Sequence, residues 1–158
     1  MKFLSPAPFK VILLAYILSV FPAYASDADA DVNKALEATD SRSCAKAFAL
    51  LDRAITKAPK DYQVYMTTGA IYVRCGKRQQ SMQYYAKGIS LAKHETLQNQ
   101  YTKSDIAVAY RAIGSYANAI SYGKEAAKLS EKAGDEIQVE RMDILISDLE
   151  SRKTVGQL

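Results

Sequence analysis

Apolar and small residues recur at intervals of three and four across residues 62–93, YQVYMTTGAIYVRCGKRQQSMQYYAKGISLAK. Tyr65, Gly69 and Tyr72 share one helical face, Gly76 interrupts the pattern, and Ser81, Tyr85 and Gly88 resume it. The spacing predicts two antiparallel helices joined by a short turn, a unit that cannot bury its apolar faces alone. The flanking segments echo it. A shift of 34 residues toward the N-terminus carries Gly69, Tyr72, Ser81, Tyr85 and Gly88 onto Ala35, Ala38, Ala47, Leu51 and Ala54. A shift of 38 toward the C-terminus carries Gly69, Tyr72, Gly76, Ser81 and Gly88 onto Ala107, Tyr110, Gly114, Ala119 and Ala126. The four extra residues fall within 91–99, which has no Pro or Gly and so predicts longer flanking helices. Small residues at these places let two helix backbones approach closely.

Punctuation agrees with this repeat. Pro59 cannot continue a helix and ends the first unit, and Asp61 is placed to cap the next. Past Gly134, Asp135 is predicted to cap a last helix whose apolar stripe is Val139, Met142, Ile146 and Leu149. Glu140, Arg141, Asp148 and Arg152 stand on its other face. An array end exposes an apolar face unless something covers it, so this helix reads as a cap. Residues 153–158 read as a frayed tail.

The first 25 residues have a different character. Residues 1–10 hold two lysines and no acid, residues 11–21 are an apolar run, and Pro22, Ala23, Tyr24 and Ala25 close it. That is the layout of a secretory signal peptide cleaved after Ala25, which predicts a periplasmic or secreted protein. The alternative is an uncleaved membrane anchor, but the run is well short of the roughly 20 residues that span a bilayer. Removing Lys2 and Lys10 lowers the formal charge from +4 to +2. The remaining charges are interspersed along the chain, and no basic run is longer than the two residues of Lys77-Arg78, so no nucleic-acid footprint is expected. Residues 26–152 form one domain, large enough to build a core.

Catalytic constellations are scarce. His94 is the single histidine and stands in a polar connection, which removes two-histidine metal motifs. Cys44 and Cys75 have no histidine beside them and no Cys-x-x-Cys spacing; in an oxidising compartment an even count fits either a disulfide or two buried thiols. No phosphate-cradling glycine loop is present. Asp27, Asp29 and Asp31 alternate, but without the glycine and distal glutamate of a calcium loop they read as the acidic start of a helix. The expectation is therefore no enzyme, no cofactor and no metal.

The repeat resembles the tetratricopeptide repeat (TPR) family. The residues that carry the match are Gly69, Tyr72, Ser81, Tyr85 and Gly88; Ala35, Ala47, Leu51, Ala54 and Pro59; and Ala107, Tyr110, Gly114, Tyr116, Ala119 and Ala126. It covers residues 28–131, and departs from the family pattern at Lys34 and Ala38, where larger apolar residues are usual. The resemblance implies an all-α solenoid of about three TPR-like helical hairpins followed by a C-terminal capping helix. The stacking it implies brings the start of the second helix of one repeat beside the end of the first helix of the next, which predicts a Cys44–Cys75 disulfide.

The resemblance also implies that the first helices line a concave groove. The matching residues are Val32, Leu36, Asp40, Gln63, Met66, Ala70, Arg74, Tyr101, Ser104, Val108 and Arg111. An apolar floor with Arg74 and Arg111 at one edge suits a protein or peptide ligand with apolar anchors and a carboxylate. Family members that clamp a C-terminal carboxylate do so with basic and amide side chains; the matching residues here are Val32, Leu36, Thr67, Tyr101 and Asp105, so that ligand class is excluded. Leu50, Tyr84 and Tyr122 occupy equivalent places on the convex side. The expected function is a non-catalytic protein- or peptide-binding adaptor outside the cytoplasm, with no stable membrane anchor after cleavage. The alternative is a homo-oligomeric structural or envelope-assembly protein that uses the same faces for self-association.

Overall fold

The computed structural model describes residues 27–154, which form α1 (Asp27–Asp40), α2 (Cys44–Lys57), α3 (Tyr62–Arg74), α4 (Arg78–Lys93), α5 (Gln100–Ala112), α6 (Tyr116–Ala133) and α7 (Glu136–Thr154). The expected signal peptide, its cleavage site and residues 155–158 lie outside the described residues. Lys153 and Thr154 continue α7, two residues past the expected end of the domain.

Three helical hairpins pair α1 with α2, α3 with α4 and α5 with α6, and α7 packs on α6. The hairpin turns share one local solution. Arg42, Gly76 and Gly114 adopt left-handed backbone with φ of 58, 73 and 84°. In each turn the residue after them donates its N–H back to the closing helix: Ser43 to Ala38 O at 2.7 Å, Lys77 to Tyr72 O at 2.8 Å and Ser115 to Tyr110 O at 2.8 Å. These are the carbonyls a helix end otherwise leaves without a partner. Gly134, φ 70°, ends α6 in the same way, and the Asp135 side chain accepts from Gln138 N–H at 3.1 Å to start α7. Asp61 and Asn99 cap α3 and α5 through their side chains. Each such cap is worth about 1 kcal/mol.

The small repeat positions are where helices touch. Ala35, Ala47, Ala54, Ala107, Ala119 and Ala126 are wholly buried. Around them lie the large core side chains Leu51, Ile71, Ile106 and Leu149, each fully buried and each contributing about 1.5–3 kcal/mol of transfer free energy. Phe48, Tyr72 and Tyr84 stack in series, with ring centroids 4.3 and 4.8 Å apart. Burial raises the Tyr72 phenol well above its ordinary range. On α7, Met142, Ile146 and Leu149 are buried as the stripe predicted, joined by Leu145.

Residues 91–99 meet the expectation in part: α4 runs through Lys93 and, at 16 residues, is two longer than α2, whereas α5, at 13, is no longer than α3. The Asn99 side chain accepts from Tyr101 and Thr102 N–H, starting α5 there, and Gln98 donates to Ala92 and Glu95 carbonyls, so the connector holds a loop conformation.

Cys44 and Cys75 form the disulfide that the stacking implied, with α-carbons 6.0 Å apart. It ties the start of α2 to the end of α3, across the boundary between the first two repeats.

Candidate functional site

The first helices face a common side, and four of the expected groove residues meet there. Val32 and Leu36 from α1 and Gln63 and Met66 from α3 line one cleft of about 350 Å³, completed by Asp29, Asn33, Val64, Thr67 and Asp105. Helical spacing explains the set: residues 29, 32, 33 and 36 share a face of α1, as 63, 66 and 67 share a face of α3. Asp105 reaches the cleft from α5, where the Tyr62 hydroxyl donates to its Oδ2 at 3.2 Å. Burial raises the Asp105 carboxyl above the usual carboxylate range, against the opposing effects of the Tyr62 hydroxyl and the charge of Arg141. The cleft therefore combines aliphatic and thioether walls with amides, a hydroxyl and two carboxylates.

The remaining groove residues are placed elsewhere. Arg74 pairs with Asp40 at the exposed end of α1, beside the disulfide. Arg111 pairs with Asp148 of α7 at 3.4 Å. Both guanidinium groups thus have a carboxylate partner within the chain, while each remains about half exposed. Tyr101 is 52% exposed but gives its hydroxyl proton to Asp135 Oδ2 at 2.7 Å, fixing the start of α7; that contact raises its phenol pKa. Ser104 is buried and offers no surface, whereas Val108, on the same face one turn on, is exposed. Ala70 packs against the cluster of Tyr85, Ile89 and Ile106.

The convex side is occupied by its own packing. Leu50 is buried, Tyr84 stacks on Tyr72, and Tyr122 lies 5.5 Å from Tyr110. Lys93 Nζ sits over both Tyr110 and Tyr122 and donates to the Tyr110 hydroxyl at 2.6 Å, and this bond raises its pKa.

Of the three aspartates that open α1, Asp31 is buried and binds Lys57 and Arg53 of α2, Oδ2 to Lys57 at 2.8 Å and Oδ1 to Arg53 at 2.7 Å. The bond to Lys57 first, and then that to Arg53, holds its carboxyl below the usual range. Among the described residues, no three His, Cys, Asp or Glu side chains converge on a point that could hold a metal.

Charge is also divided unevenly among the helices. α4 contains Arg78, Lys87 and Lys93 and no acid, whereas α1 carries Asp27, Asp29, Asp31, Glu37 and Asp40 against Lys34. α7 carries Glu136, Glu140, Asp143, Asp148 and Glu150 against Arg141, Arg152 and Lys153.

No protein-family model and no curated protein matches the sequence. Solved structures do. The type III secretion translocator chaperone SycD of Yersinia enterocolitica, in an alternative dimer, is similar at 16% identity over 84% of this chain and 98% of its own, with a TM-score of 0.57. A T3SS complex from Aeromonas hydrophila is similar at 13% identity over 90% of this chain and 97% of its own, also with a TM-score of 0.57. At such identities the likeness shows the fold, and the fold is the TPR-like helical-hairpin solenoid that the small-residue repeat predicts.

Proposed function

We propose that this protein is a non-catalytic adaptor acting outside the cytoplasm, and that it holds a protein or peptide segment in the cleft between α1, α3 and α5. The observation that carries the reading is the cleft itself, where Val32, Leu36 and Met66 line one space with Asp29 and Asp105. Its walls accept one or two apolar side chains, and its carboxylates and amides accept donors. The ligand complementary to it is an extended or helical segment with apolar anchors next to a basic or amide-bearing residue. This differs from the carboxylate-bearing ligand expected from Arg74 and Arg111, whose charges are met by Asp40 and Asp148. That a secretion chaperone is built on the same architecture supports a protein ligand. The layout of residues 1–25 supports the location.

Selection of a displayed random-peptide library on the protein tests the cleft. Enriched peptides should carry aliphatic anchors with Lys, Arg, Asn or Gln nearby, and should lose binding to Leu36→Arg and weaken on Asp105→Asn. Peptides that bind Leu36→Arg as well as the parent would remove the cleft from the mechanism. For the location, the mass of the protein recovered from cells should correspond to a chain starting at Ser26; an intact N-terminus would overturn it.

A further inference from the structure

In each repeat the first helix is covered by the second: α2 lies on α1, α4 on α3 and α6 on α5. α7 follows α6 as a fourth helix of the first kind, and among the described residues no second helix covers it. The face left open holds a groove of about 780 Å³ whose apolar surface comes from Val139 and Ile144, with Glu131, Glu136, Glu140 and Asp143 around it and no basic residue in its lining. Ile144 is 63% exposed, and Ile137, two turns before it, is 75% exposed. Aliphatic side chains this exposed on a terminal helix leave an apolar strip uncovered where a solenoid cap is ordinarily polar.

We propose that this groove is the docking site for a basic amphipathic helix of a partner protein. The fold supplies the shape, since the same seat is filled by a helix in every preceding repeat. Val139 and Ile144, five residues apart, stand on opposite flanks of the groove and supply its apolar contacts, with Ile137 on the Ile144 side. Glu136, Glu140 and Asp143, at spacings of four and three, supply a row of carboxylates between those flanks for lysines or arginines. A second copy stacked end to end is disfavoured by charge, because α1 at the other end of the array is itself acidic. The groove is separate from the cleft between α1, α3 and α5 and does not depend on that cleft having a ligand.

The test uses a fluorescent helix-forming peptide of about five turns, roughly 18 residues, with lysines along one face and leucines on either side of them, and a twin with glutamate for lysine. The lysine peptide should bind the protein saturably and more weakly at high salt, and the glutamate twin should not bind. Ile144→Lys, and separately Glu140→Lys with Asp143→Lys, should each weaken binding at least roughly tenfold, while Leu36→Arg in the cleft should leave it unchanged. All three positions 140, 143 and 144 are exposed, so the variants should retain the parent's circular dichroism and melting profile. Absence of binding by the lysine peptide, or equal binding by Ile144→Lys, would overturn the proposal. A dimer in light scattering that Ile144→Lys dissolves would overturn it in favour of a second copy as the occupant.

Discussion

The α-carbon of Gly69 on α3 faces the ring of Tyr85 on α4 so closely that a β-carbon at position 69 would lie 2.9 Å from two ring carbons. Tyr85 is buried among Ile89, Ile106 and Met66, so the ring has no open direction in which to move. Gly69→Ala gains roughly 1 kcal/mol in helix propensity but forces the hairpin apart. Overpacking of this kind costs about 1–3 kcal/mol, and we expect a net loss of stability, read as a lower urea midpoint with an unchanged slope. A midpoint equal to or above the parent's would show that α3 and α4 separate freely.

Arg42 holds the left-handed conformation that Gly76 and Gly114 hold in the next two turns. A side chain there costs about 1–2 kcal/mol, and glycine's extra freedom in the unfolded chain returns roughly half of it. Arg42→Gly should therefore raise stability by up to about 1 kcal/mol, whereas Gly114→Ala should lower it by a similar amount. Thermal melts of the two variants should move in opposite directions.

The disulfide closes a sequence separation of 31 residues. In the chain-entropy treatment, a loop of that length is worth about 3–4 kcal/mol. Cys44→Ser with Cys75→Ser should lose most of that stability while keeping the helical circular dichroism. Equal midpoints for parent and variant under non-reducing conditions would show that the bridge adds nothing to the packing of α2 on α3.

Asp31 and Asp105 predict opposite responses to acid. The folded state holds the Asp31 carboxyl below its unfolded value, so its contribution is present above about pH 4 and is lost as pH falls through the folded pKa. Burial raises Asp105, so its penalty is absent in acid and grows as pH rises from about 4 through its folded pKa. Urea midpoints measured across this range should fall less steeply on acidification in Asp31→Asn than in the parent. Asp105→Asn should gain stability relative to the parent as pH rises. Parallel profiles for all three proteins would contradict both assignments.

Much of the architecture was legible because it depends on local chemistry. Ala35, Ala54, Ala107 and Ala126 had to be small for helices to meet, and the left-handed turns at Gly76 and Gly114 favour glycine. The cleft was less legible because its membership depends on which neighbouring elements cover each turn of a helix. Ser104 and Val108 share one face of α5 a turn apart, and periodicity alone does not tell the buried turn from the exposed one. The ion pairs Arg74–Asp40 and Arg111–Asp148 join residues more than 30 positions apart, beyond the reach of any local pattern. Asp105 stood out in the sequence only as a poor match to a carboxylate clamp, and its burial beside Tyr62 gives it a different role. Ile137 and Ile144 fall outside the stripe through Val139 and Met142, so nothing in the periodicity marked the face they form.

The disulfide also makes the solenoid mechanically unequal. A covalent tie joins the first two hairpins, whereas the second and third are joined by the 94–99 connector, the cluster around Tyr85 and Ile106, and the hydrogen bonds from Tyr62 to Asp105 and from Lys93 to Tyr110. Tension along the array therefore finds its compliant joint between α4 and α5. The cleft spans that joint, with two walls on the stapled half and Asp105 on the other. A segment bound there would act as a strap across the weakest seam, and tugging on either end of the molecule would loosen its grip.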